Sequence, residues 1–485
     1  MVFSTPTFLF LFLPVVLWAY LLLPRPGKNL LLLAASLFFY AWGERWIVLV
    51  MLLSILGNYI LAIRLVASPG ARHRHIYLTL ALAFNLGLLF VFKYANFFVD
   101  SLDPLLTGIG LGSIEIPVIT LPIGISFFTF QALSYVIDVH RGDARLQRNP
   151  IDFALYIALF PQLIAGPIVR YVDVAEQIVH RTESWSKFSQ GVERFVFGLA
   201  KKMIFANTAA EVADKIFALP LTDITPGLAW LGTACYTIQI YFDFSGYSDM
   251  AIGLGLMFGF RYLENFRHPY VARSITGFWR RWHISLSTWF RDYLYIPLGG
   301  NRKGPARTYL NLFLVFFLCG LWHGASWTFV VWGIYHGLLL VLERLGLGDF
   351  LSRIPRILQH LYAMLAVMIG WVLFRAETFE QAHVFVLALF GVSGSPAPLA
   401  VTAREYIDPQ LIFVLVVGAF CSTPSLSLAL RNWREHTNPE HPASKLPWSA
   451  QIGETALTLL LLVLLTLCTS KMALGTYNPF IYFRF

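Results

Sequence analysis

Residues 318–337, LCGLWHGASWTFVVWGIYHG, carry two histidines in an otherwise apolar stretch: His323 and, thirteen residues on, His336. A histidine in such a setting has two readings. It can be a structural residue bonded to a backbone carbonyl. It can also take a proton from a hydroxyl and return it to a leaving group, because imidazole changes charge state near neutral pH. A hydroxyl that attacks a thioester or an acyl ester needs such a base. Gly324 and Ala325 predict a helix weakness just after His323. The chain has no HExxH and no His/carboxylate spacing suited to a metal, so no metal site is expected.

A second cluster is FWRRWHISLSTWFRDYLYIPLGGNR, residues 278–302. On a helix at about 100° per residue, Trp279, Trp282, His283, Leu286, Trp289, Phe290 and Tyr293 share one face. Arg280, Arg281 and Arg291 lie on the polar side. The pattern predicts an amphipathic helix in the membrane interface, with His283 buried or facing a cavity. Its arginines are candidates for binding an anionic donor.

In YTIQIYFDFSGYSDMAIGLGLMFGF, residues 236–260, Gln239, Asp243 and Gly246 share a face, with Asp249 near its edge. A carboxylate in so apolar a helix needs a partner, usually Arg or His. Asp243 therefore orients a catalytic histidine or neutralises a buried arginine. Gly255 and Gly259 have GxxxG spacing, which predicts close helix packing there. The tail GTYNPFIYFRF, residues 475–485, reads as an interfacial aromatic anchor. Its Tyr482 is alternatively a covalent acyl carrier, since a phenol is a permitted nucleophile.

The elements that must hold these residues are membrane helices. The chain is 57% hydrophobic and 13% charged, against about 25% charged for a soluble domain. Mean hydropathy is +0.64. Lipid is the solvent such a chain fits. Apolar segments at about 7–23, 29–43, 46–63, 76–98, 118–138, 189–206, 228–258, 308–322, 327–342, 357–374, 410–428 and 453–470 give about 11 or 12 spans. Segments 151–168 and 380–391 contain proline or are brief, and are candidates for re-entrant pieces. The whole chain, 1–485, reads as one all-α, polytopic membrane domain ending in the tail 475–485.

Charge sets an expected orientation. The net charge is +9, and residues 261–307 hold nine Lys/Arg against Glu264 and Asp292. Loops 24–28, 64–75, 141–148 and 431–445 are basic, whereas 99–116 carries Asp100, Asp103 and Glu115 without Lys or Arg. Placing the basic loops in the cytoplasm puts the N-terminus and the tail outside. The first apolar run lacks a positive n-region and a small-residue cleavage site, so it reads as a retained helix. Cys235, Cys319, Cys421 and Cys468 sit in apolar runs and read as small buried side chains. Basic residues embedded among spans point to lipid headgroups or an anionic donor rather than nucleic acid.

Several segments in order are similar to the membrane-bound O-acyltransferase family. They are MVFSTPTFLFLFLPVVLW, KYANFFVDSL, LPIGISFFTFQALSYVIDVHRGD, FPQLIAGPIVRY, QIYFDFSGYSDMAIGLGLMFGF, ENFRHPYVARSITGFWRRWHISLSTWFRDYLYIPLGGNR and GLWHGASWTFVVWGIYHG. The resemblance implies a ring of helices around a thinned centre, with the catalytic histidine at the bottom of a funnel. The histidine of the LWHGA-type motif corresponds to His323. It implies a supporting role for His283, and Asp243 and His336 are further candidates for support from their place in apolar segments. The tail is similar to an FIY-type motif whose tyrosine receives the acyl group, which points to Tyr482.

The resemblance further implies a bacterial inner-membrane enzyme that draws on acetyl-CoA, with no permanently bound cofactor. It would work with periplasmic acetyltransferase partners and a polysaccharide synthesis and export complex. Its substrate would be a secreted polysaccharide, alginate first, with cellulose or another exopolysaccharide as alternatives. Segment 391–451 departs from the alginate pattern. Two other function classes fit a polytopic chain: a non-catalytic acyl conduit, and a scaffold of an export complex.

Overall fold

The computed structural model describes residues 1–114, 116–392, 402–426, 428–429, 448–475 and 477–479, and every regular element among them is helical. The chain opens with α1 (Leu13–Leu22), α2 (Arg25–Glu44), α3 (Val48–Ala67), α4 (Ala71–Leu89) and α5 (Ala95–Gly108). Arg45, at φ 52°, turns the chain between α2 and α3. The two helices run back on each other. Asn29 at the start of α2 donates to Asp152 (2.7 Å), and Tyr59 late in α3 donates to the Arg148 carbonyl (2.5 Å). A π-turn, Phe90–Tyr94, joins α4 to α5.

Residues 116–124 are non-helical, so the expected span from 118 begins as helix only at α6 (Ile125–Arg141). The proline-containing stretch 151–168 is broken into α7 (Pro150–Ala158) and α8 (Phe160–Leu163). It is buried from Leu155 onward, which satisfies the rule that non-helical backbone at membrane depth is covered by protein. After α9 (Tyr171–His180), α10 (Trp185–Ala200) and α11 (Asn207–Phe217) comes α12 (Pro226–Met257). At 32 residues α12 is about 48 Å long, more than the roughly 30 Å of a bilayer core. Most of it is buried, including Thr233, Gln239, Asp243 and Ser248.

Glycines let α10 lie against α12. A Cβ on Gly198 would come within 2.6 Å of the Gly246 carbonyl oxygen, and one on Gly191 within 2.6 Å of the Gly253 carbonyl oxygen. The expected Gly255/Gly259 pair is not the contact. Gly259 lies beyond the helix end at φ 86°, and Gly255 faces the Tyr262 ring.

The expected single helix across 278–302 is also corrected. It is split into α13 (Ile275–Trp279) and α14 (Ile284–Phe290), with a π-turn at Arg291–Tyr295. The break comes from tertiary pairing: Arg267 N–H bonds the Arg281 carbonyl (2.9 Å), and Ile284 N–H bonds the Asn265 carbonyl (3.0 Å). The inward set still holds, since Trp279, Trp282, His283, Leu286, Trp289 and Phe290 are all buried.

The remaining helices are α15 (Pro305–His323), α16 (Trp327–Leu342), α17 (Gly348–Arg353), α18 (Arg356–Arg375), α19 (Phe379–Leu389), α20 (Pro409–Cys421) and α21 (Trp448–Ala473). Six helical stretches among the described residues are long and apolar enough to cross a membrane, and three shorter apolar helices accompany them.

Side-chain contacts sort the loops onto two faces. On one, Lys28 pairs with Glu183, Arg74 donates to the His140 carbonyl (3.4 Å), and Arg170 pairs with Asp292 (2.9 Å). On the other, Ile123 N–H bonds Glu44 (3.2 Å) and Arg375 pairs with Asp214 (2.6 Å). Asn478 donates to the Ser4 carbonyl (3.1 Å) and accepts from Asn207 (3.1 Å). Ser4, Asn207 and Asn478 therefore lie on the face opposite the basic loops Arg25–Lys28 and Arg72–Arg74.

Candidate active site

His323 is the last residue of α15, and Gly324 leaves the helix in extended conformation. The helix packs tightly on α16, because a Cβ on Gly320 would strike the Phe329 carbonyl and come within 3.2 Å of the Gly333 Cα. Ser326 caps α16 by accepting from Thr328 N–H (3.3 Å). This hairpin places the His323 ring among Trp322, Trp332 and Phe374, with centroids at 5.0, 5.0 and 5.2 Å. The residue is only 5% exposed. Neither ring nitrogen has a hydrogen-bond partner among the described residues. A structural histidine would be bonded to a carbonyl, and this one is not.

The α15 backbone end is held separately from the ring. Lys93, in the π-turn of residues 90–94, donates to the carbonyls of Trp322 and His323 (3.3 Å for the latter) and to Ser126 Oγ (3.1 Å). Tyr94 donates to the Leu321 carbonyl (2.7 Å). Helix C-termini carry unsatisfied carbonyls and partial negative charge, so a lysine and a phenol are apt partners. Lys93 and His323 also line a cavity of about 140 Å³ with Gly124, Ser126, Phe127 and Trp322.

His283 stands across Trp322, its ring 5.9 Å from the indole. Its backbone is left-handed (φ 44°) and its side chain fully buried. Asn265 Oδ1 accepts from Ser285 N–H (3.2 Å) and Ser285 Oγ (2.9 Å), so it is an acceptor toward His283 Nδ1 as well (3.1 Å). That fixes the tautomer with the Nε2 lone pair free of partners among the described residues. His336 flanks the far side of Trp332 at 5.1 Å and meets Trp279 at 5.2 Å. The fold thus gathers His283, His323 and His336 around two tryptophans, although the sequence spreads them over more than fifty residues.

A profile of the membrane-bound O-acyltransferase family matches residues 35–348. The chain is 45% identical to a Pseudomonas putida protein and 44% identical to an Azotobacter vinelandii protein, each over 100% of both chains and each named "Probable alginate O-acetylase AlgI". A Helicobacter pylori "Peptidoglycan O-acetyltransferase" is 37% identical over 84% of this chain and 83% of its own. The chain belongs to the membrane-bound O-acyltransferase family.

In this acyltransferase the remaining predicted residues are more dispersed. Among the described residues the ion-pair partner of Asp243 is a lysine rather than a histidine or an arginine. It pairs with Lys202 at 2.8 Å, both residues buried, and Lys202 also donates to the Pro479 carbonyl. Asp249 pairs with Lys201 (2.5 Å) and Arg194 (2.8 Å), and Arg194 also pairs with Glu264 (2.5 Å). This network borders a second cavity of about 700 Å³, which Ser248 and Asn265 also line. Arg280, Arg281 and Arg291 are exposed, and Arg291 pairs with Asp292 (2.7 Å). Tyr482 lies outside the described residues.

Lys93, Lys202 and Asn265 escaped the sequence reading. Lys93 carried a signal, being a lone cation in FNLGLLFVFKYANFFV, where ionisable groups mark function by default. Asn265 carried none, since its role depends on a long-range pairing.

Proposed function

We propose that this acyltransferase moves acetyl groups from acetyl-CoA on the cytoplasmic side, across the membrane, for O-acetylation of secreted alginate. The observation that carries the proposal is His323, buried beside a cavity with both ring nitrogens unengaged. Full-length relatives named for alginate O-acetylation support the acetyl group and the polymer.

The chemistry needs one base and one dry, enclosed site. The acceptor hydroxyl gives its proton to His323 as its oxygen attacks the thioester carbon. The tetrahedral intermediate then expels the thiolate, and the imidazolium returns the proton to sulfur, so CoA leaves as the thiol. The acceptor is Tyr482 of the tail or a hydroxyl on a periplasmic acetyltransferase, which then places the acetyl group on the sugar. Asp243 supports this step through Lys202, which grips Pro479 three residues before Tyr482. His283 and His336 complete the aromatic enclosure. Arg280, Arg281 and Arg291 meet the donor's phosphates on the basic face.

The enzyme sits in the bacterial inner membrane with both ends outside, within a polysaccharide synthesis and export complex. The test is polymer acetate in cells carrying His323→Ala or His323→Gln at normal protein abundance. Loss of acetate from polymer that is still secreted is expected from both. Full acetate in His323→Gln would instead indicate a conduit without proton chemistry. Loss of secretion on deletion of the protein would indicate a scaffold.

A further inference from the structure

Lys93 differs from the other buried cations. Lys202 has Asp243 and Arg375 has Asp214. Lys93 is 8% exposed, and among the described residues its ammonium meets carbonyl and hydroxyl oxygens and the Trp322 ring, 5.8 Å from the centroid, and no carboxylate. A buried ammonium without a carboxylate is a costly arrangement that suits a site awaiting an anion.

Two further features converge on the cavity that Lys93 lines. The N-terminus of α6, a helix of 17 residues, contributes Gly124, Ile125, Ser126 and Phe127 to its wall. A helix N-terminus carries partial positive charge. The Ser126 hydroxyl accepts from Lys93 and makes no bond as a donor among the described residues, so its proton is available. His323, nine-tenths buried and with neither ring nitrogen bonded among the described residues, is one of the residues that line the same space. Cation, helix terminus, hydroxyl and base thus meet in about 140 Å³, several times the room one water needs.

We infer that Lys93, Ser126 and the N-terminus of α6 form the oxyanion-binding site of the acyl transfer. The inference deepens the reading of His323 as base and rests on it. As the acceptor oxygen bonds to the thioester carbon, the carbonyl π pair moves onto the carbonyl oxygen. The Lys93 ammonium turns one N–H from Ser126 Oγ to that oxygen, and the Ser126 hydroxyl donates beside it. The proton from the acceptor goes to His323. When the C–S bond breaks, the pair returns to the carbonyl and the thiolate takes the proton. Lys93 remains charged throughout, and its other N–H groups continue to hold the end of α15.

The experiment uses the full-length protein in detergent or nanodiscs and two readouts. The first is kcat and KM for acetyl-CoA. Lys93→Met should lower kcat by about 10²-fold or more, with KM changed by less than about threefold, the pattern of a lost transition-state contact. Ser126→Ala should lower kcat by about tenfold, keeping the prediction testable if Lys93→Met does not fold. The second is binding of an anionic methylphosphonyl thioester of CoA, a tetrahedral mimic. Wild type should bind it at least about 10²-fold tighter than acetyl-CoA. That preference should collapse in Lys93→Met and survive in His323→Ala, in which turnover is lost. Unchanged kcat in both variants, or an unchanged preference in Lys93→Met, would overturn the oxyanion site. Full turnover in His323→Ala would instead overturn the base, and the two failures are distinguishable.

Discussion

At the scale of single residues, Asp243 and His323 differ in how their bonds are satisfied. Asp243 and His323 were both singled out as ionisable groups in apolar segments. Asp243 is answered by Lys202, whereas His323 is answered by nothing among the described residues. Removing one member of a buried pair leaves an uncompensated charge, which costs about 3–5 kcal/mol. Lys202→Met or Asp243→Leu should each lower the thermal midpoint in detergent by several degrees. The double variant should recover most of that loss. If the single variants melt as wild type does, the pair is not structural.

The sequence made His323 and His283 legible because an imidazole among tryptophans is rare enough to notice. It did not disclose that Asn265 sets the His283 tautomer, because that contact is eighteen residues away across a broken helix.

At the scale of elements, periodicity located the long apolar helices, missed α5, α9, α11 and α17, and misjudged several breaks. Residues 278–302 keep their inward face although the helix is interrupted at 280–283. Burial follows which side chains must leave water, whereas continuity follows backbone pairing with 265–267, of which the local sequence gives no sign. The glycines show the same division. GxxxG spacing suggested 255 and 259, but the close approach uses 246 and 253 against 198 and 191, two turns apart on each helix. Gly198→Leu should drive α10 off α12 and reduce folded yield, since overpacking typically costs about 1–3 kcal/mol. Gly87→Ala, with open space around its Cβ, should leave yield unchanged in the same fluorescence size-exclusion assay.

A pH dependence belongs at this scale too. Burial pushes the Glu183 carboxyl up, but Lys28, Tyr20 and Arg181 outweigh it and hold it below the usual carboxylate range. A depressed folded value means stability that is present above the unfolded pKa, about 4.3, and lost as pH falls through the folded one. Thermal stability should therefore decline as the pH is lowered from about 5 toward 3. Lys28→Met should shrink that decline, and an identical profile would show that the link from α2 to the loop before α10 adds nothing.

At the scale of the whole molecule, loop charge and side-chain contacts agree on which loops share a face. The basic turns at 25–28 and 72–74 lie opposite the cluster in which Asn478 bonds Ser4 and Asn207. A single cysteine at Gly112 should react with a membrane-impermeant thiol reagent in intact cells, and one at Arg72 only after permeabilisation. The reverse pattern would invert the whole molecule. The same arrangement brings His323 to the end of α15 that faces the chain termini, at the rim of the cavity shared with Lys93.

The most direct test of the central claim is transfer of label from radiolabelled acetyl-CoA to the purified protein or to an added periplasmic acetyltransferase. Wild type, His323→Ala and Tyr482→Phe are compared. Label in wild type that falls by about 10²-fold or more in folded His323→Ala is the predicted result. Label that appears at the wild-type rate in His323→Ala would contradict it.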